Sequence, residues 1–236
     1  MIGNRKFRYE NKYLINILQK ETIKNYICDV CDWDKYILKN ETGYRIRSLY
    51  FDTYNDKAFK DNESGVDIRE KYRIRIYNCS DDNIFLERKI KVNGKISKDR
   101  CRITKDVLNA ILEDNIDGLQ FDERLPLLNR FLLEYQMNFL RPRIIVDYER
   151  MAYVIEDIDV RITFDSNIGF SGDITGFFDK NLSLQPILPI GKELLEVKYR
   201  EFIPKYIHQI LDDKNLQQCT FSKFYLCENY RRQGEL

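Results

Sequence analysis

The chain has 236 residues, and its 43% hydrophobic and 13% aromatic content can build a sizeable core in one large domain or two small ones. A formal net charge of +1 excludes a bulk polycation field of the nucleic-acid-binding kind, so any anion site must come from local segregation of charge. No apolar run approaches the roughly 20 residues of a membrane span, residues 1–8 lack the apolar core of a signal peptide, and six scattered cysteines favour reduced thiols and a cytoplasmic location.

Residues 7–15 read as a first strand with Arg8, Glu10 and Lys12 on one face. From 16 to about 31, Ile17, Leu18, Ile23, Ile27 and Val30 recur at helical spacing and predict a covering helix. Cys28 and Cys31 form a CxxC, but with no second pair and the one histidine, His208, far away, they read as helix-packing residues. Trp33 begins a polar connection. Residues 44–50 alternate again, with Arg45 and Arg47 against Ile46 and Leu49, before turn formers at 51–56 and a short helix over 57–63.

The clearest alternation covers residues 68–77: Lys71, Arg73 and Arg75 fall on one face, and Tyr72, Ile74 and Ile76 on the other. Residues 84–92 repeat the pattern with Glu87, Lys89 and Lys91. Asn93-Gly94 predicts a tight hairpin turn, and 95–104 adds Lys98, Arg100 and Arg102. Thr104 is a helix cap, and residues 125–140 form an amphipathic helix with Leu128, Phe131, Leu132, Tyr135 and Phe139, stopped by Arg141-Pro142.

Strands follow over 143–154, with Tyr148 and Arg150 on one face, and over 160–165, with Arg161, Thr163 and Asp165. Residues 169–190 lack a sustained period and read as an irregular loop. Residues 194–199 return to strand with Glu196 and Lys198 together. Pro204 opens a helix through 211, and Phe221-Ser222-Lys223-Phe224-Tyr225 closes the domain. No linker or repeat interrupts the chain, which reads as one domain over 1–236.

A charged face on one strand is best explained by solvation, but so many strands with charge on one face and helices with apolar stripes point to an inverted arrangement. The expected fold is α+β: an antiparallel β-barrel forming a charged tunnel, with its apolar faces outward beneath covering α-helices. Lys12, Arg73, Arg75, Lys89, Arg150, Arg161, Lys198 and Lys223 would line it with Glu10, Glu87 and Glu196. Cations in excess suit phosphate oxygens, and a carboxylate such as Glu196 is a hard ligand for Mg²⁺ or Mn²⁺ bridging them. A nucleotide or inorganic polyphosphate fits such a lining. No GxxxxGK, GxGxxG or HExxH motif competes, and Ser222 has no histidine near it in sequence to activate it as a nucleophile.

The segments Arg8-Tyr9-Glu10-Asn11-Lys12-Tyr13, Tyr72-Arg73-Ile74-Arg75, Leu86-Glu87-Arg88-Lys89, Tyr148-Glu149-Arg150, Val160-Arg161-Ile162-Thr163-Phe164-Asp165, Leu195-Glu196-Val197-Lys198 and Phe221-Ser222-Lys223-Phe224, in that order, carry a resemblance. Nearly end to end, the chain resembles the polyphosphate polymerase domain of vacuolar transporter chaperone proteins, within the triphosphate tunnel metalloenzyme (CYTH-like) superfamily. The resemblance implies transfer of the γ-phosphate of ATP onto a growing inorganic polyphosphate. By it, Lys12, Arg73, Arg75, Lys89, Arg150, Arg161, Lys198, Ser222 and Lys223 contact phosphates. The same resemblance implies that Glu196 would hold Mn²⁺ or Mg²⁺, that Tyr148 would lie beside the nucleotide and that Lys98 would reach the phosphate chain, with Glu10 and Glu87 completing the expected substrate-binding set.

The superfamily's opening ExExK is incomplete here, because Arg8 stands where its first Glu would be, which weakens a hydrolase reading. Larger members join this domain to a phosphate-sensing module and membrane helices. The resemblance therefore implies a soluble catalytic module without its own membrane span, with translocation and regulation either absent or supplied by a membrane or regulatory partner protein. The alternatives are a tripolyphosphate or nucleoside triphosphate hydrolase and a non-catalytic polyphosphate-binding module. Nucleic-acid binding is disfavoured, since a closed lumen does not admit a duplex.

Overall fold

The structure is a computed structural model that describes residues 6–34, 42–213 and 216–234. Its strands are β1 (Tyr9–Asn16), β2 (Asp32–Trp33), β3 (Tyr44–Asp52), β4 (Arg69–Tyr77), β5 (Ile84–Val92), β6 (Lys95–Ile103), β7 (Arg141–Ile155), β8 (Val160–Ser171), β9 (Gln185–Pro186) and β10 (Lys192–Tyr199). The helices are α1 (Ile17–Ile27), α2 (Lys57–Glu63), α3 (Lys105–Leu112), α4 (Pro126–Met137), α5 (Lys205–Asp213) and α6 (Lys223–Gly234). The strands form one ten-stranded antiparallel sheet in the order β1-β10-β8-β7-β3-β4-β5-β6, with β2 on β7 and β9 on β8. It curls until its edges meet, where Arg8 and Ile96 exchange backbone hydrogen bonds of 2.9 and 2.8 Å.

Two apolar clusters lie on the outer face, as the inverted pattern requires. Tyr72, Ile74, Leu86 and Ile103 pack under Leu108 and Ile111 of α3 and Leu128, Phe131 and Leu132 of α4. On the other flank Tyr13, Ile162, Phe164, Leu195 and Val197 pack under Ile23 and Ile27 of α1 and Ile207 and Leu211 of α5. Local signals set the helix ends. Asn16 and Gln19 form a reciprocal capping box on α1, Thr104 Oγ1 accepts from the Val107 amide, and Pro126 opens α4.

A third cluster lies inside the barrel and changes the expected plan. Tyr50, Ile144, Val146, Tyr148, Ile168, Phe170 and Leu194 face inward and pack on Phe221, Phe224 and Cys227, with Ala58 and Phe59 of α2 beside them. The C-terminal segment is thus a helix that enters one end of the lumen, while α1, α3, α4 and α5 cover the outside.

Other expectations need correction. The charged face of β3 points outward: Arg47 is fully buried there, bonded to Asp147 Oδ2 at 2.6 Å and to the carbonyls of Gly176, Phe177 and Asp179. Tyr44, Ile46, Ser48 and Tyr50 face the lumen instead. Residues 169–190 are not all loop, because β8 continues to Ser171, with Ile168 and Phe170 buried inside, and β9 pairs with it. Trp33 belongs to a short strand, its ring 4.6 Å from that of Tyr153. On α1 only Ile23 and Ile27 are buried, whereas Ile17, Leu18 and Val30 are exposed. Helix α4 ends at Met137, before Arg141-Pro142, and Phe139 is exposed with a φ of 49°. Cys31 packs in the α1 cluster and Cys28 is exposed.

Candidate functional site

Period two chooses which residues face the lumen, and register chooses which of them meet. Across β1 and β10, Glu10 lies opposite Lys198 and Lys12 opposite Glu196. Across β7 and β8, Arg150 lies opposite Asp165; across β4, β5 and β6, Glu87 sits between Arg73 and Arg100. Opposite charges placed directly across an antiparallel pair attract, so these rungs turn a charged lumen into two connected ion networks.

The first network centres on Glu196 of β10, which is 4% exposed. Its Oε1 accepts from Lys223 Nζ at 2.9 Å and lies 3.6 Å from Lys12 Nζ. Its Oε2 accepts from Lys198 Nζ at 2.7 Å and from Arg150 at 3.4 Å. Arg150 and Lys223 also grip buried Asp165, Arg150 through two hydrogen bonds of 2.6 and 2.7 Å and Lys223 at 2.6 Å. Glu10 accepts from Lys89 of β5 at 2.9 Å across the barrel seam and lies 3.4 Å from Lys12 and 3.5 Å from Lys198.

The second network centres on fully buried Glu87. Arg73 reaches it at 2.7 Å, Lys98 at 2.9 Å, Arg100 at 3.6 Å and Arg75 at 3.8 Å. Tyr148 joins the two networks: its hydroxyl accepts from Arg75 at 3.1 Å, and its ring lies under Arg150 and Lys223 at 5.2 and 4.8 Å.

These contacts set the charge states. Burial pushes Glu196 up, but Lys198, Lys223, Lys12 and Arg150 together hold its carboxylate well below the usual range. Glu87 is held well below it in the same way, against burial, by Arg73, Arg75 and Lys98. Lys89 is pushed down to about 8 by burial, which outweighs the pull of Glu10. Lys71 is driven well below the ordinary lysine value by burial and then by Lys89, Lys12, Arg69 and Arg73.

All the residues expected from sequence face this lumen, though not in one contact set. Arg161 stands apart from the carboxylates of both networks, donating to the Tyr44 hydroxyl at 2.8 Å and pairing with Asp34 at 2.6 Å. Ser222 accepts from the Tyr225 amide at 3.3 Å, capping the first turn of α6, and accepts from Lys71 Nζ at 3.1 Å. Arg8, in the place of the missing Glu, pairs outside with Asp159 at 3.0 Å while its backbone closes the barrel. Lys71, Arg100 and Asp165 are lumen residues that the sequence-based site set leaves out. Lys71 shares its face with Arg73, Arg100 with Lys98 and Asp165 with Arg161, so strict parity points to all three; what parity does not give is the pairing of Asp165 with Arg150, which comes from register.

Among the described residues no three His, Cys, Asp or Glu side chains gather as a metal cluster. Nor is any described helix long and apolar enough to cross a membrane.

No curated protein sequence matches significantly. Among solved structures, a candidate adenylate cyclase from Bacillus halodurans aligns with a TM-score of 0.52 and 15% identity over 92% of this chain and 95% of its own. A candidate adenylyl cyclase from Hippeastrum, described as having a dominant triphosphatase activity, aligns at 0.54 and 13% over 98% and 96%. One from Vibrio parahaemolyticus aligns at 0.52 and 10% over 94% and 98%. At these identities the likeness is one of fold. The family model described as the VTC domain matches residues 7–229. With nearly its whole length matched and a curled antiparallel sheet to go with it, the chain belongs to the VTC domain family.

Proposed function

We propose that the lumen holds chains of phosphate and that the protein is a metal-dependent polyphosphate polymerase, moving the γ-phosphate of ATP to the end of a growing inorganic polyphosphate. The observation that carries this reading is the rung set on β4, β5 and β6, where Lys71 lies opposite Lys89 and Lys89 opposite Lys98. Like charges directly across a sheet are destabilising, and a polyanion between them removes the cost. The match to the VTC domain supports the same reading.

In this reaction the protein chiefly positions and neutralises. Arg73 and Arg75, with Lys12, Lys89, Lys198 and Lys223, would bind phosphoryl oxygens and stabilise the charge that spreads over them during transfer. A terminal oxygen of the acceptor attacks the γ-phosphorus, the bond to the β–γ bridging oxygen breaks, and ADP leaves with the electron pair. The attacking oxygen is already anionic at neutral pH, so no side chain has to take a proton. This suits a lumen without histidine.

A divalent ion fits the donor set. The carboxylates of Glu196 and Glu10 converge on the same two ammonium groups, those of Lys12 and Lys198. Two carboxylates with the remaining ligands from phosphate and water are the usual environment of Mg²⁺, and hard oxygens equally suit Mn²⁺. Glu196 and Glu10 would hold the ion, which supplies charge neutralisation at the phosphoryl oxygens.

The test is incubation of the protein with ATP and Mn²⁺ or Mg²⁺, following ADP, free phosphate and polymer length on a gel. Polymer formed in step with ADP is the expected result. Phosphate release without polymer would move the assignment to a triphosphate hydrolase. That second reading is favoured by α6, which fills one end of the lumen and suits short substrates, and by the fold shared with the Hippeastrum protein.

A further inference from the structure

The basic ladder on β4 and β5 does not stop at Lys71 and Lys89. The next rung on the same face sets Arg69 opposite Lys91, so two successive rungs place like charges directly across from one another. On β1 and β10, by contrast, register pairs every lumen cation with a carboxylate. Among the described residues Lys71 forms no ion pair. Its ammonium meets only the Ser222 hydroxyl at 3.1 Å and the Phe224 ring at 5.5 Å. Arg69 donates to the carbonyl of Val66 at 3.0 Å and likewise has no carboxylate pair among them. Lys91 lies near Arg69 and Lys12, with Glu10 and Asp67 as weaker counterweights.

The place of this ladder matters as much as its charge. Helix α6 and its apolar cluster fill the barrel axis on this side, so a phosphate chain following the basic face cannot continue straight. The rungs lead it sideways, from Lys89 and Lys71 past Ser222 to Arg69 and Lys91 at the start of β4 and the end of β5, all four of these cations being half-buried.

We propose that Lys71, Arg69 and Lys91 form a second phosphate subsite, which holds the stretch of inorganic polyphosphate beyond the reacting end and leads it out of the barrel between the start of β4 and Ser222. The proposal rests on the phosphate-chain reading of the lumen and adds a direction and a length preference to it. Tripolyphosphate and ATP would be satisfied by the lumen alone; only a longer chain reaches Arg69 and Lys91.

Binding of tripolyphosphate, of linear polyphosphate of about fifteen units and of an oligouridylate of similar charge would be measured for the natural protein and for Arg69→Gln/Lys91→Gln. Both residues are half-buried, and an unchanged thermal midpoint would show that the double variant is folded. The expected result is a longer chain bound at least tenfold more tightly than tripolyphosphate by the natural protein, with roughly tenfold of that lost in the variant and tripolyphosphate affinity unaltered. Three outcomes would overturn the subsite: equal affinity for short and long chains, equal weakening of both, or the same length advantage for the oligouridylate. Any of these, with tripolyphosphate still bound, leaves the lumen reading standing. Failure of the natural protein to bind any phosphate chain would remove both.

Discussion

Glu196 shows how a buried carboxylate here is held in place by its neighbours. Lys12, Lys198, Lys223 and Arg150 surround it at 2.7 to 3.6 Å, and its removal leaves buried cations without a counter-charge. Glu196→Gln keeps the shape and loses the charge. The expected cost is about 3–5 kcal/mol in urea denaturation, the size seen when one partner of a buried ion set is removed. Saturating tripolyphosphate should restore much of it, because phosphate supplies the missing negative charge, while metal-dependent turnover stays lost. A variant as stable as the natural protein would show that the cations do not depend on this carboxylate. Lys89 makes a second, pH-based test. Free, it titrates at about 8 because burial disfavours its charge, and a bound phosphate raises that value. Below about 8 the Lys89 ammonium is charged with or without ligand and adds no slope of its own, leaving Lys98, pushed down to about 7 by burial, and Lys71 as the lysines that still take up protons there. Above that value binding must take up a proton at Lys89, and affinity falls by up to about tenfold per pH unit for each proton taken up. Calorimetry in two buffers of different ionisation enthalpy, with the ligand's own titration subtracted, should show that uptake. No difference between buffers at pH 9 would contradict it.

At the scale of elements, alternation tells that a strand has a basic face but not which side that face takes. β4 and β3 both alternate, yet Arg73 and Arg75 point inward while Arg47 points outward and pins residues 176–179 against the sheet. What decides is the companion face. On β4 it is Tyr72, Ile74 and Ile76, which need the cover of α3 and α4; on β3 it is Tyr44, Ser48 and Tyr50, whose hydroxyls receive Arg161, Arg75 and Arg73. A basic residue opposite polar-tipped aromatics is therefore weaker evidence for a lumen than one opposite aliphatics. Arg47→Met separates the two roles. It should cost about 2–4 kcal/mol of stability by leaving Asp147 with Arg45 alone and three carbonyls without their donor, with tripolyphosphate affinity unchanged; weakened phosphate binding in a folded variant would place Arg47 in the site after all. The same contrast explains what the sequence made legible. The lumen lysines and arginines of β1, β4, β5 and β10 follow from parity, since each lies two residues from another charged residue on its strand. The inward course of α6 does not, because Phe221, Phe224 and Cys227 form an ordinary apolar stripe and only the tertiary fold says that this stripe meets the inside of the barrel. Nor does the pairing of Asp165 with Arg150, which depends on a register that no local signal sets.

Taken whole, the molecule divides its lumen: apolar packing fills one end and ion networks fill the rest. The outer clusters under α1 and α5 and under α3 and α4 supply the ordinary hydrophobic stabilisation, so the ionic part of the lumen can be balanced for a ligand rather than for the empty protein. Lysines held below their normal titration range by burial, with other cations adding to it, are a sign of that balance, and they imply that an anion should stabilise the fold well beyond its effect on an ordinary surface. A ligand at about 100 times its Kd adds about 2.7 kcal/mol to the folded state. For a chain of 236 residues that corresponds to a rise of roughly 5–10 °C in Tm. Tripolyphosphate should give this shift in a thermal melt, and sulfate at equal ionic strength should give little, because a single tetrahedral anion cannot span Lys71, Lys89 and Arg73 together. Equal shifts from both ions would mean that the lumen answers to ionic strength alone and would remove the case for a phosphate-chain site. A shift with tripolyphosphate that disappears in the double variant Arg73→Gln/Arg75→Gln, itself folded at 20 °C, would tie the effect to the lumen face of β4.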